Sequence, residues 1–170
     1  MVEITTIADL PGKPAVYALY GGRGRGLHVA YVGTARDVRT RITQHLLRRD
    51  SSITTGAAVV TLNADLVTQV WWWEHSDFSD EAFLFAAELV AFDALDPVLR
   101  SRGQSQDKAC QLYTDPRFYG EMTAMFSEEP TGRLTLPTLL SALERIAALE
   151  ERLRELEVKI STRTKPDTAV

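Results

Sequence analysis

The sequence predicts a small α/β (α+β) domain followed by a C-terminal coiled-coil helix. Two short segments rich in Val, Ala and Tyr lie on either side of the glycine-rich connection GGRGRG, a pattern typical of a β-hairpin. Segments with helical spacing of apolar residues then alternate with a third segment of β-branched and aromatic residues. A repeat of Leu and Ile follows near the C-terminus. The predicted order is therefore hairpin, helix, strand, helix, a connecting helical segment and a long amphipathic helix.

The hairpin and the first helix come from the first 50 residues. Residues 14–20 (PAVYALY) and 28–33 (HVAYVG) are the two predicted strands. Residues 36–48 (RDVRTRITQHLLR) place their apolar side chains close to helical spacing, and the arginines fall on the other faces. Asp37 lies in the first turn, where a negative charge favours the helix dipole.

The third strand and the second helix follow. Residues 51–65 fit neither pattern, whereas residues 66–74 (LVTQVWWWE) have the composition of a strand. Ser79 is the predicted N-cap of a strongly apolar helix over residues 80–95, which ends before Pro97. A helix of this composition has to be buried on most of its circumference.

The C-terminal half is predicted to be helical. Residues 107–126 form a helical segment interrupted at Asp115 and Pro116. A heptad-like seam follows, with one three-residue shift in its spacing. Its members are Leu136, Leu139, Leu143, Ile146, Leu149, Leu153, Leu156 and Ile160.

These elements predict four regions along the chain. We expect a folded domain over residues 1–103 and a helical connecting segment over 104–133. An amphipathic coiled-coil helix then spans 134–160, and the polar tail 161–170 is expected to be disordered. The seam predicts self-association through this helix, and packing of the helix against its own domain is the alternative.

Composition excludes several classes of protein. The chain has 170 residues, 45% of them hydrophobic, and a formal net charge of -4, which is ordinary for one folded domain. Its single cysteine, Cys110, excludes an intramolecular disulfide and a cysteine-rich zinc site. The first residues, MVEITTIADLPGK, lack a basic segment followed by an apolar core, and no apolar run suggests a membrane span. We therefore expect a cytoplasmic protein.

The net charge hides a basic segment. Residues 23–49 contain seven arginines and two histidines but one acidic residue, whereas residues 74–96 contain seven acidic residues and neither Lys nor Arg. Apart from Arg41, the arginines of this segment are the candidate nucleic-acid contacts: Arg23, Arg25, Arg36, Arg39, Arg48 and Arg49. GGRGRG lacks the lysine of a P-loop, so a hairpin tip that touches a nucleic-acid backbone is the preferred interpretation.

An ordered set of polar and aromatic residues lies on the predicted elements. The two predicted strands carry the tripeptides AVY and YVG, an arginine follows the second glycine by eight residues, and a histidine follows one helical turn later. A glutamate then lies on the apolar helix after WWWE. In chain order the set is Tyr17, Tyr31, Gly33, Arg41, His45 and Glu88. This ordered set resembles the GIY-YIG nuclease superfamily. The resemblance covers roughly residues 12–103 and is closest to the restriction-endonuclease-like branch, which carries this histidine.

The resemblance implies a fold and a chemistry. The fold is a three-stranded antiparallel sheet flanked by helices, and the activity is metal-dependent hydrolysis of phosphodiester bonds, for which we expect DNA as substrate. Tyr17 would be the base, Tyr31 would hold phosphate or water, His45 would accept or orient a proton, Arg41 would bind the phosphate and Glu88 would hold Mg²⁺ or Mn²⁺. One carboxylate suits Mg²⁺, which keeps several waters and takes few protein ligands. A planar arginine fork suits a phosphate.

Three positions depart from the family pattern. Ala15 replaces a glycine of the first motif, and Thr34 follows Gly33 where the repair branch often has lysine. Arg100 stands where the family generally has asparagine, and Gln104 lies too far along to replace it.

Structural roles remain as alternatives for these residues. The tyrosines can be half-buried core aromatics, Arg41 and His45 can lie on a solvated helix face, and Glu88 can form an internal ion pair with Arg41. The three tryptophans of WWWE can stack on bases, but strand alternation directs at least one side to the core, so packing is preferred. The rival function is an inactive module of the same fold that binds nucleic acid, or a protein partner through its coiled coil.

Overall fold

The computed structural model describes residues 1–21, 27–48, 53–55, 58–60, 64–99, 106–137 and 139–163. The chain divides into two compact units, Met1–Leu136 and Pro137–Val170. Within the described ranges, none of the helices is long and apolar enough to cross a membrane.

A five-stranded mixed sheet forms the centre of the first unit. The strands of the described residues are β1 (Val2–Ile4), β2 (Ala15–Gly21), β3 (His28–Ala35), β4 (Ile53–Thr55), β5 (Ala58–Val60), β6 (Val67–Trp73) and β7 (Gly132–Thr135). The sheet has the order β1-β7-β6-β2-β3, while β4 and β5 pair separately. β1 is parallel to β7, and the other neighbours in the sheet are antiparallel.

The α/β class is confirmed, but the sheet differs from the three antiparallel strands that the resemblance implied. β2, β3 and β6 correspond to the predicted strands, and β7 and β1 extend the sheet beyond β6. The two additional strands have four and three residues, too few to produce a periodic pattern in the sequence.

Five α-helices are described. They are α1 (Val38–Thr43), α2 (Glu81–Leu95), α3 (Asp107–Thr114), α4 (Pro116–Ser127) and α5 (Leu139–Arg163), and a single π-helical turn, Gln44–Arg48, continues α1. Aspartates cap the starts of three of them. Asp37 caps α1, Asp80 rather than the predicted Ser79 caps α2, and Asp115 caps α4 with Pro116 in the first turn.

Helices cover both faces of the sheet. α2, α3 and α4 pack over a cluster that contains Val16, Val32 and Trp73. α1 packs on the opposite face with Tyr17 and Tyr31 among the buried residues. The tryptophans alternate as a strand requires, since Trp72 lies on the α1 face and Trp71 and Trp73 on the other. Trp72 and Trp73 are buried, which agrees with the predicted packing role.

The predicted region 104–133 belongs to the first unit and does not connect two units. α3 and α4 pack on α2, and β7 enters the sheet next to β6. Leu136 donates its backbone N–H to Thr68 O, so it continues the sheet and not the helix. Pro137 explains this, because a residue before proline avoids helical backbone angles.

The C-terminal helix therefore has different bounds from the predicted 134–160. It starts at Leu139 and extends to Arg163, three residues into the predicted tail 161–170. Residues 164–170 lie outside the described ranges, as do Arg23, Arg25, Arg49, Arg100 and Gln104.

Candidate functional site

The hairpin of β2 and β3 brings the two motif tyrosines together over a glycine. Tyr17 is paired across the strands with Gly33, and Tyr31 lies two residues before Gly33 on the same face. The ring centroids of the tyrosines are 6.1 Å apart. A Cβ atom on Gly33 would lie 2.8 Å from the Tyr17 hydroxyl and 2.9 Å from the Tyr31 hydroxyl. Both hydroxyls therefore occupy the space that a side chain at position 33 would need.

The π-helical turn after α1 carries a histidine against these tyrosines. His45 is 3% exposed, and its Nε2 lies 2.7 Å from the hydroxyl oxygen of Tyr17. Its ring centroid is 5.8 Å from that of Tyr17 and 5.7 Å from that of Tyr31. Single π-helical turns inside helices often occur at functional sites, because they redirect a side chain. The three rings form a closed triangle on the α1 face of the sheet.

Arg41 contributes a positive charge from α1. Its guanidinium is half-buried and interacts with the hydroxyls of both Tyr17 and Tyr31. Burial alone would lower the pKa of Arg41, but the two tyrosines raise it above its ordinary value, so the side chain stays charged. Nη1 of Arg41 also donates to Oε1 of Gln44 at 3.3 Å. The guanidinium is therefore held in place by Tyr17, Tyr31 and Gln44.

Glu88 reaches the same place from the opposite face of the sheet. It is 7% exposed on the strongly apolar helix α2. β3 is the outer strand of the sheet, so α2 can approach past its open edge. Val98 and Leu99 bond to Val29 and Ala30 on that edge. They stop short of Thr34, whose backbone N–H is free to donate to the carboxylate of Glu88.

The carboxylate of Glu88 lacks full compensation for its burial. Burial raises its pKa from 4.5 to about 7, although the Arg41 charge and the Thr34 amide both act to lower it. The predicted structural alternative, an ion pair with Arg41, is therefore present only as a weak interaction that burial outweighs. A buried carboxylate in this state gains from a cation.

Tyr17 is strongly disfavoured as an anion. Its complete burial raises its pKa well above 10.0, the nearby Tyr31 and Glu88 raise it further, and Arg41 only partly opposes them. Tyr17 is therefore protonated at neutral pH. In the tautomer of His45 that leaves Nε2 without a proton, the hydroxyl of Tyr17 donates the hydrogen bond to Nε2.

The protein groups around Glu88 suit a hard cation with few protein ligands. Among the residues that the structure describes, no group of three or more His, Cys, Asp or Glu side chains is arranged to hold a metal ion. A single carboxylate with unused acceptor capacity, next to neutral hydroxyls, fits Mg²⁺ or Mn²⁺ with several retained waters.

The candidate nucleic-acid contacts are only partly available. Of the described ones, Arg36 pairs with Glu81 at 2.9 Å, Arg39 donates to the carbonyl of Leu10 at 2.8 Å, and Arg48 is exposed.

Two contacts in the site were not predicted from the sequence. The first is the contact between the backbone N–H of Thr34 and Glu88, which no side-chain pattern can indicate. The second is the contact between Arg41 and Gln44, which the sequence could have suggested because helical side chains three residues apart can meet.

No protein-family model matches the chain, and no curated protein matches it either. The likeness to the GIY-YIG superfamily therefore depends on the residues of this site.

Proposed function

We propose that this chain is a GIY-YIG-like endonuclease that hydrolyses phosphodiester bonds of nucleic acid, with DNA as the expected substrate. One observation carries the proposal. Tyr17, Tyr31, Arg41, His45 and Glu88 come from four separate elements and converge around Gly33 and its neighbour Thr34. Packing alone gives no reason to bury a histidine and a carboxylate beside a half-buried arginine, because each of these groups loses hydration there.

The buried pair Tyr17–His45 supports a proton relay. A tyrosine with a strongly raised pKa is a poor permanent base, but it can pass a proton that it receives. In the proposed reaction the hydroxyl oxygen of Tyr17 accepts a proton from the attacking water while its own proton moves to Nε2 of His45. The water oxygen forms the new bond to phosphorus, the bond to the leaving ester oxygen breaks, and that oxygen takes a proton from solvent.

Arg41 and Tyr31 are suited to hold the phosphate during this reaction. The guanidinium offers a planar fork of N–H donors with a permanent charge, and it lies next to both hydroxyls. Tyr31 is 4% exposed and keeps its hydroxyl over Gly33. Both groups stabilise charge that develops on the phosphate oxygens.

Glu88 would hold the metal ion, Mg²⁺ or Mn²⁺. The bound ion would stabilise negative charge on the phosphate and on the leaving oxygen. Since the carboxylate has a pKa of about 7, metal binding should weaken as pH falls below 7.

A plasmid-cleavage assay tests this function. Supercoiled plasmid incubated with the intact protein and Mg²⁺ or Mn²⁺ is expected to become nicked or linear. Glu88→Gln should abolish cleavage, whereas Glu81→Gln on the same helix should cleave normally, since Glu81 is exposed and pairs with Arg36. Equal cleavage by Glu88→Gln and the intact protein, or no cleavage with either metal, would refute the enzyme.

A second function has a specific observation in its favour. Arg100 stands in place of the family asparagine, which favours an inactive module that binds nucleic acid or a protein partner. Retention of labelled DNA without cleavage in either metal would support this module.

Self-association through α5 completes the proposal. One site of this kind cuts one strand, so two copies joined by a coiled coil would bring two sites to a duplex. Light scattering at micromolar concentration should then report the mass of a dimer.

A further inference from the structure

A continuous apolar face runs along α5 and is open to solvent in the single chain. Its large side chains are 48–60% exposed, and they are Leu143, Ile146, Leu149, Leu153 and Leu156. Burying this apolar face against another surface would remove it from water and stabilise the helix. We therefore ask which surface covers it.

Within the bounds of α5, the apolar residues can be assigned to a regular heptad repeat if Ala142 replaces Leu143 in the seam. Taking Ile146 as position a, Leu139, Leu153 and Ile160 follow the same seven-residue period. Position d then contains Ala142, Leu149, Leu156 and, at the end of the helix, Arg163. The irregular spacing predicted from the sequence came from counting Leu143 in place of Ala142 and from including Leu136, which lies outside the helix. Ile at a followed by Leu at d, as at Ile146 and Leu149, favours a two-stranded coil.

The charges beside this seam distinguish parallel from antiparallel pairing. Position g holds Arg145, Arg152 and Lys159, and position e holds Leu143, Glu150 and Glu157. In a parallel pair, each g residue faces the e residue of the next heptad in the partner, so both arginines meet a glutamate. In an antiparallel pair g faces g and e faces e, so arginine meets arginine and glutamate meets glutamate.

We infer that α5 pairs with α5 of a second copy of this chain in a parallel, in-register coiled coil. The inference rests on the self-association proposed above and is independent of the nuclease proposal. A second copy is the occupant that fits, because each helix supplies both the acidic and the basic side that the other needs. Four further charged residues, Glu144, Glu151, Arg154 and Glu155, lie at positions away from the seam, and Arg154 pairs with Glu151 of its own helix at 2.9 Å.

Parallel pairing fixes where residues 1–136 of each copy are attached to the coiled coil. In each copy the first unit ends at Leu136, and α5 begins at Leu139. The two helix starts lie side by side, about 10 Å apart at the spacing of packed helices. Both copies of residues 1–136 are therefore tethered to the same end of the coil, as two sites acting on one duplex require.

Disulfide trapping tests the orientation. In a Cys110→Ser background, Leu156→Cys should form a disulfide-linked dimer rapidly under mild oxidation, and Ala142→Cys should do the same. Antiparallel helices would hold the two copies of position 156 about 20 Å apart, too far for a disulfide. A disulfide formed only when the two variants are mixed would overturn the parallel arrangement.

Charge reversal tests the same inference without cysteine. Glu150→Arg with Glu157→Arg should lose the dimer mass in light scattering, as should Arg145→Glu with Arg152→Glu, while mixing the two proteins should restore it. The matched control, Glu144→Arg with Glu155→Arg, changes the net charge equally at positions away from the seam and should remain dimeric. A monomeric mass for the unmodified protein, or an unchanged mass for both reversals, would refute the inference. Neither assay depends on cleavage, so the nuclease proposal can fail separately.

Discussion

At the scale of single residues, the site depends on a missing side chain as much as on those present. Gly33 leaves room for the hydroxyls of Tyr17 and Tyr31, which lie within 2.9 Å of where its Cβ would be. A hydroxyl held that closely has one position available, and for Tyr17 that position is the one that meets His45. The YVG glycine is thus a steric requirement of the site.

Gly33→Ala is therefore expected to impair the site more than the fold. The added methyl group should displace both tyrosine hydroxyls, break the hydrogen bond between Tyr17 and His45, and cost about 1–3 kcal/mol in the free energy of unfolding. Plasmid nicking should fall to background while the far-ultraviolet circular dichroism spectrum stays native.

Gly120→Ala is the matched control for that substitution. Gly120 lies in α4 with no atom within 4 Å of the position of an added Cβ, so alanine should be neutral or stabilise the helix by up to about 1 kcal/mol. Normal nicking by Gly33→Ala, or an equal loss in both variants, would contradict the steric role of Gly33.

The residue types of the site could be predicted from sequence, but their energetics could not. The order of Tyr17, Tyr31, Arg41, His45 and Glu88 on predicted elements was enough to expect a common cleft. The raised pKa of Tyr17 arises from its complete burial, which is a property of the whole fold. The resemblance implied that Tyr17 is the base, whereas burial raises its pKa and Arg41 only partly opposes this.

At the scale of elements, long periodic segments were predictable and short ones were not. The hairpin, α1, β6 and α2 follow from apolar spacing, and the break between α3 and α4 falls at Asp115 and Pro116 as predicted. β7 has four residues, and it becomes a strand because β6 and β1 both offer it backbone partners. No local sequence pattern indicates such partners. The predicted domain therefore ended at residue 103, whereas the first unit of the structure ends at Leu136.

Gly132→Ala tests the part that β7 plays in the sheet. A Cβ on Gly132 would overlap the six-membered ring of Trp72, which is 3% exposed and has little room to move. We expect the free energy of unfolding in urea to fall by about 1–3 kcal/mol. Thr135→Ala, at the exposed end of the same strand, should change it by no more than about 0.5 kcal/mol. Unchanged stability for both variants would mean that β7 contributes little to the first unit.

At the scale of the whole molecule, Glu88 makes stability depend on pH. Its carboxyl has a pKa of about 7 when folded, against 4.5 for an ordinary glutamate. Between these values the folded protein keeps a proton that the unfolded chain releases, so the free energy of unfolding falls as pH rises from about 4.5 to about 7. The difference in pKa corresponds to about 3 kcal/mol.

Glu88→Gln should remove this dependence. The variant is expected to be about 2–3 kcal/mol more stable than the unmodified protein at pH 8 and nearly equal to it at pH 4.5, as measured by urea unfolding. Glu81→Gln should match the unmodified protein at both values.

Metal addition gives the complementary result. Millimolar Mg²⁺ or Mn²⁺ at pH 8 should raise the melting temperature of the unmodified protein but not that of Glu88→Gln, because binding to the folded state alone stabilises it. A Glu88→Gln protein that is less stable at pH 8, or that responds equally to the metal, would contradict this account of Glu88.

The pairing of β1 with β7 has a consequence for how the protein is made. Glu3 and Arg133, 130 positions apart, form an ion pair across these strands, and Val2 lies opposite Gly132. During synthesis the first strand has no partner until residue 135 has been added, so the sheet of the first unit is completed last at its N-terminal edge. Until β7 is in place, β6 is an edge strand of the sheet, and an edge strand of this kind can pair with a neighbouring chain.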